Sequence, residues 1–121
     1  MIKAYKIYTG TDDHTHIAAG SVAEEVFAGV EQISFKETPP HATYDWHTAP
    51  TTQYVLTLTG TLEFEVISGE TFILKPGEVL IAMDTTGSGH KWKMVDDEPW
   101  KRVYILFNQV SEINFIPDNK V

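Results

Sequence analysis

The chain has 121 residues, with seventeen acidic side chains against nine basic ones and a formal net charge of −8. That length suits one domain with its own core. A negative surface repels nucleic acid and anionic lipid, so neither is an expected partner. The absence of cysteine excludes disulfides, thiolate metal sites and cysteine nucleophiles. The N-terminal Met-Ile-Lys-Ala-Tyr-Lys lacks a signal-peptide core, and no run approaches the ~20 apolar residues of a membrane span, so a cytoplasmic protein is expected. Lys91, Lys93, Lys101 and Arg102 form the only basic cluster and are expected on the solvent side of strands.

Residues 2–8 mix β-formers with lysines and read as an opening strand, closed by Gly10 and Thr11-Asp12-Asp13. His14 and His16 stand two apart, the spacing that puts two side chains on one strand face. They read either as a ligand pair or as a polar loop entering a strand at Ile17, the second being preferred. Residues 21–27 have the propensity for a turn of helix between Gly20 and Gly29 but are too short for more. Over residues 30–36, Glu31, Ile33 and Phe35 alternate with Gln32, Ser34 and Lys36, and Pro39-Pro40 stops the strand. The following loop, residues 39–50, carries His41, Tyr44, Asp45, Trp46 and His47. Such chemical density in a loop points to function more than the same residues would in a core.

Residues 53–59 form a β-branched and aromatic run ended by Gly60. Leu62, Phe64 and Val66 then alternate with Glu63 and Glu65, the pattern of a half-buried strand. Ser68-Gly69 fits a two-residue hairpin turn, residues 71–74 return, and Lys75-Pro76-Gly77-Glu78 turns again. Residues 79–83 are continuously apolar, as in a strand covered on both faces. After residues 84–89, His90, Trp92 and Met94 alternate with Lys91, Lys93 and Val95. Two lysines directed outward send His90 inward beside a tryptophan. Residues 96–99 turn, 102–107 form a last strand, and the tail from Gln109 carries Phe115 and Ile116, which dock on the body or on a second subunit. Eight to ten short strands with little helix make an all-β antiparallel sandwich or barrel.

No Gly-rich phosphate loop follows a strand, no serine sits in a nucleophile elbow, and no helical His-Glu-x-x-His occurs. Attention falls instead on His47 and His90, at opposite ends of a compact β segment. Neutral imidazole is a good ligand for zinc, nickel, iron or copper, and the Gln53 amide oxygen a weaker, uncharged one. His47 and Gln53 are six apart, an even spacing that puts them on one strand face if no bulge intervenes. With His90 they would make a three-ligand site with open positions. Trp46, Tyr54, Trp92 and Met94 would line or border the pocket. Asp45 or Asp84 would accept the hydrogen bond of a ligating histidine's other nitrogen. His41 reads as a solvated loop histidine.

The run from His47 to Gly60, the Pro76-Gly77-Glu78 turn, the apolar strand after it and His90 together resemble the cupin superfamily. The likeness is closer to small single-domain cupins with a Trp-His-x-x-Pro-x-x-Gln-Tyr-Val start, here residues 46–55, and an Asp-Thr-Thr-Gly-x-Gly-His end, here residues 84–90. It spans most of the chain, from about Tyr8 to Phe107. The resemblance implies a double-stranded β-helix, or jelly-roll barrel, of about eight to ten antiparallel strands in a single domain, residues 1–121. The barrel core would be residues 30–107, with 1–29 and 108–121 packing on the body or on a partner in a homodimer. It further implies a divalent metal (zinc, nickel, iron or manganese) on His47, Gln53 and His90, and a small organic ligand in the barrel. An enzyme of this kind would be a lyase, isomerase, cyclase or oxygenase. This chain departs from the cupin motif by placing Ala49 at its second histidine, beside the pocket, and Gln53 at its glutamate. No substrate and no catalytic residue follow from the residues, and the alternative is a metal-free module that binds or senses a small molecule.

Overall fold

A computed structural model describes residues 1–107 and 113–118. The strands are β1 (Ile2–Thr9), β2 (Thr15–Val22), β3 (Gln32–Thr38), β4 (Thr43–His47), β5 (Gln53–Thr59), β6 (Leu62–Val66), β7 (Thr71–Leu74), β8 (Val79–Met83), β9 (His90–Met94), β10 (Trp100–Leu106) and the two-residue β11 (Ile116–Pro117). One sheet runs β11-β2-β1-β8-β5-β10-β3 and the other β4-β9-β6-β7.

Pairing is nested about the β6–β7 turn. Strand β6 pairs with β7, β5 with β8, β4 with β9 and β3 with β10, all antiparallel. One long hairpin wrapped so that its rungs fall alternately into two facing sheets is the eight-stranded jelly roll. The all-β jelly-roll architecture is therefore visible in the strand order itself. The N-terminal hairpin β1–β2 extends the larger sheet at β8, and here the structure departs from the antiparallel expectation, because β1 pairs with β8 in parallel. No tight turn joins those two strands, so nothing local fixes their relative direction.

Alternation decides which side chains enter the barrel. Leu62, Phe64 and Val66 of β6 are buried and Glu63 and Glu65 face outward; His90, Trp92 and Met94 of β9 are buried between the outer Lys91 and Lys93. The apolar run of β8 serves two cores. Leu80 and Ala82 join Phe64, Trp92 and Trp100 inside the barrel. Val79 and Ile81 face the other way, beneath Ile113 and Phe115 of the C-terminal segment. That segment docks on the body through β11, which pairs with β2; Gln109 lies outside the described residues.

Several local expectations shift. Residues 21 and 22 complete β2, because pairing with Lys3 and Ile2 overrides the helical propensity of this stretch, and no helix follows. Strand β2 begins at Thr15, so His14 stays in the turn while His16 joins the strand and binds Asp12 at 2.9 Å. That imidazole holds the Asp12 carboxyl below its ordinary range. Strand β3 starts at Gln32 and β10 at Trp100, and β4 occupies part of the stretch read as a loop. The β6–β7 turn has Ile67-Ser68 at its tip, closed by Gly69 N–H donating to the Val66 carbonyl at 2.9 Å. Among the described residues no helix is long and apolar enough to cross a membrane.

Candidate functional site

His47 reaches the barrel interior through an irregularity. Tyr44 pairs with Trp92 and His47 pairs with His90, so three steps along β4 match two along β9. This is a β-bulge, with one residue too many on β4. In a regular strand, residues three apart point to opposite faces. The bulge at Asp45-Trp46 resets that parity and puts His47 on the cavity face with Tyr44, their rings 4.0 Å apart. It also leaves the Asp45 carbonyl outside the ladder, where it accepts a hydrogen bond from His47 Nδ1 at 2.8 Å. A carbonyl can only accept, so the ring carries its proton on Nδ1 and its lone pair on Nε2.

His90 is aimed by the 84–89 loop. The Asp84 carboxylate, fully buried, accepts from His90 Nδ1 at 2.6 Å and from the Thr15 hydroxyl at 2.9 Å. Both bonds fall on Oδ2; Oδ1 has no hydrogen-bond partner among the described residues. The loop is clipped to the β1–β2 turn, Ser88 N–H donating to the Asp13 carbonyl at 3.0 Å and Thr9 Oγ1 to the Thr86 carbonyl at 3.0 Å. Two glycines make the approach possible. At Gly87 (φ +80°) a Cβ would sit 2.2 Å from the Asp13 carbonyl oxygen, and at Gly89 (φ +71°) 2.2 Å from that of His47. Only glycine combines this backbone with that closeness.

The two imidazoles thus face each other across adjacent strands, ring centroids 4.4 Å apart and planes inclined by 58°. Burial pushes the His47 imidazole below its ordinary pKa, and the neighbouring His90 acts in the same direction, against the Asp45 hydrogen bond. His47 is therefore neutral at physiological pH, with its Nε2 lone pair available.

Both rings line an open-mouthed cavity of about 630 Å³ between the sheets. Its walls include Val55, Phe64, Leu80, Ala82, Trp92 and Trp100, and Gln53, Tyr104 and Arg102 supply polar groups. Trp92 and Trp100 meet edge to face at 5.0 Å, and Trp100 Nε1 donates to Thr57 Oγ1 at 3.1 Å, so the aromatic wall is fixed in place.

His47, Gln53, His90, Ala49 and Trp92 all border this cavity. His47 and Gln53 do so from different strands in different sheets, however, so their even spacing is not what unites them. Three other residues expected at the pocket lie elsewhere. Trp46, in the bulge, is exposed and lies under the Lys91 ammonium. Tyr54 alternates outward from Gln53, packs on Phe107 and accepts from the Asn114 N–H at 2.8 Å. Met94 fills the core below the cavity. Asp45 acts through its backbone oxygen, while its carboxylate accepts from the Trp46 N–H at 2.8 Å. His41 is exposed beside Asp97. Arg102 is overturned most fully. Expected on the solvent side, it is 3% exposed and lines the cavity, because β10 begins two residues earlier and places Trp100, Arg102 and Tyr104 on its inner face.

For a metal ion, the donors at this point are two imidazoles and one amide; Ala49 offers none. The described residues contain no group of three histidine, cysteine or carboxylate side chains placed around one ion.

Neither a protein-family model nor a curated protein matches this sequence. Among solved structures it is similar to the conserved SPY1581 protein of unknown function from Streptococcus pyogenes, at 16% identity over 70% of this chain and 71% of that one, with a TM-score of 0.44. It is also similar to the cupin domain of Schizosaccharomyces pombe Cnp3, at 16% identity over 87% of this chain and 86% of that one, again with a TM-score of 0.44. The jelly-roll assignment rests on the strand pairing described above.

Proposed function

We propose that the protein binds a small organic molecule in the cavity between its two sheets, with His47 and His90 as the polar anchors. The observation that carries this reading is the way both rings are held. Each Nδ1 faces a protein acceptor, the Asp45 carbonyl or the Asp84 carboxylate, and both rings border the same cavity. A histidine kept only for packing does not need this arrangement; one that must offer Nε2 to a ligand does. The cavity volume lies within the range of about 300–1,000 Å³ usual for small-molecule sites, and apolar walls with a few convergent polar groups are their usual composition. Because Trp92 and Trp100 form one wall, occupancy should change the intrinsic fluorescence. Titration with a panel of sugars, neutral aromatics and organic acids is expected to give a saturable change for at least one class. The response should vanish in Ala42→Trp, which fills the cavity from its half-buried border. An absence of saturable change across the panel, or an unaltered response in Ala42→Trp, would refute the reading.

A second reading has its own support. The Asp84–His90 pair has the carboxylate–histidine arrangement that orients metal ligands, and His47 stands directly opposite it. Two imidazoles with centroids 4.4 Å apart are near enough for both Nε2 atoms to reach one divalent ion, at the usual bond length of about 2.0–2.1 Å. Gln53 would complete the set. With no carboxylate among the donors, this site suits zinc or nickel better than manganese, which prefers oxygen, and it leaves positions open for the organic ligand. Metal analysis of tag-free protein after exposure to zinc or nickel is expected to give one ion per chain, lost in His47→Ala and in His90→Ala. Uptake that survives both substitutions removes this reading and leaves the organic-ligand reading in place.

A further inference from the structure

The charge pattern inside the barrel runs opposite to that of the whole chain. Among the described residues no carboxylate lines the cavity, whereas Arg102 and Lys36 both do. These two stand directly opposite each other on β10 and β3. Lys36 is exposed at the rim while Arg102 is buried in the wall, so positive charge stands at both the mouth and the side of the cavity.

Arg102 is 3% exposed. Its Nη1 donates to the Thr38 hydroxyl at 2.6 Å and the Trp100 carbonyl at 3.0 Å, its Nε to the Tyr104 hydroxyl at 3.0 Å, and its plane lies 3.7 Å over the Trp100 ring. Those contacts fix the guanidinium without neutralising it. Among the described residues no carboxylate pairs with Arg102, and Nη2, which makes no hydrogen bond with them, is not closed off from solvent and opens on the cavity. A guanidinium edge presented to an open cavity is a natural partner for an anion.

We propose that the cavity takes a small organic anion, whose charged group docks between Arg102 Nη2 and Lys36 while its body lies against Trp92 and Trp100. This rests on the cavity being a ligand site and names the chemical class of that ligand. The −8 chain charge repels anions at long range, so recognition depends on the short-range pair of cations within the barrel mouth. A carboxylate, phosphate or sulfonate would each satisfy the guanidinium.

The probes that separate these chemistries are benzoate, phenyl phosphate and benzenesulfonate, with benzamide as the neutral match, each titrated calorimetrically into the full chain. At least one anion is expected to bind tenfold or more tightly than benzamide, and which one does so identifies the charged group. In Arg102→Met, which keeps an unbranched side chain over Trp100, that anion should lose its tenfold advantage over benzamide; an advantage that persists would overturn the assignment. If Arg102→Met does not fold, Arg102→Lys retains the charge without the planar fork and should show a reduced preference. Benzamide binding as tightly as all three anions in the wild type overturns the anion assignment but leaves the cavity a ligand site. No binding by any of the four overturns the anion assignment too, and the sugar and neutral arms of the fluorescence panel then decide separately whether the cavity binds anything.

Discussion

Replacing Phe64 by alanine is expected to lower the unfolding free energy by about 3–5 kcal/mol, the cost of emptying a phenylalanine site in a packed core. Phe64 is 1% exposed. It is stacked on Phe72 at 5.1 Å, meets Trp100 edge to face at 6.5 Å and lies 5.7 Å from the His90 ring. It is therefore both the centre of the barrel core and one wall of the cavity. Collapse around the vacated space is limited, because β6 is held on both sides, by β7 and by β9. Since domains of this size are stable by only about 5–15 kcal/mol, Phe64→Ala should shift the urea midpoint far toward zero, whereas Phe64→Leu should lose much less. An alanine variant within about 1 kcal/mol of the wild type would mean that the cavity wall is not part of the core.

Asp84 gives the second large effect, and its two substitutions should diverge. In Asp84→Leu the His90 Nδ1–H and the Thr15 hydroxyl both lose their buried acceptor. At about 1–3 kcal/mol for each orphaned group, the expected loss is about 2–6 kcal/mol. Asp84→Asn keeps an oxygen where Oδ2 lies and places its NH2 where Oδ1 already has no partner among the described residues. It should stay within about 1 kcal/mol of the wild type, because no satisfied bond is removed. Equal losses for the two variants would show that charge, rather than the acceptor geometry, holds this corner together. Denaturant melts of both proteins supply the comparison.

The legible part of this architecture was the part written in alternation. Strands β5, β6, β7 and β8 fall where their patterns place them, and the outward lysines of β9 correctly send His90, Trp92 and Met94 inward. What escaped depended on partners distant in sequence. The bulge in β4 has no local signature: Asp45-Trp46 looks like any polar-aromatic step, and only pairing with β9 reveals the extra residue. The even spacing from His47 to Gln53 implies one strand face, but the chain leaves β4 at His47, turns over residues 48–52 and enters β5 at Gln53, so the two converge from different sheets. Arg102 was misplaced for a simpler reason. Its neighbour Lys101 suggested an exposed basic pair, yet adjacent strand residues face opposite ways, and the inward Trp100 two residues before it fixes the parity. Extending the alternation back from Tyr104 through Arg102 to Trp100 would have found it. Thr15, whose hydroxyl supports Asp84, comes from the N-terminal hairpin, 69 residues earlier in the chain, and no local pattern links the two.

The most direct test of the central claim, that His47 and His90 offer Nε2 to a ligand in the barrel, is long-range proton–nitrogen NMR of the histidine rings near neutral pH. Both rings are expected in the Nδ1-protonated tautomer in the free protein, and both Nε2 resonances should move together when the best-binding member of the probe panel is added. Rings protonated on Nε2, or Nε2 resonances that stay fixed at saturating ligand, would contradict the account.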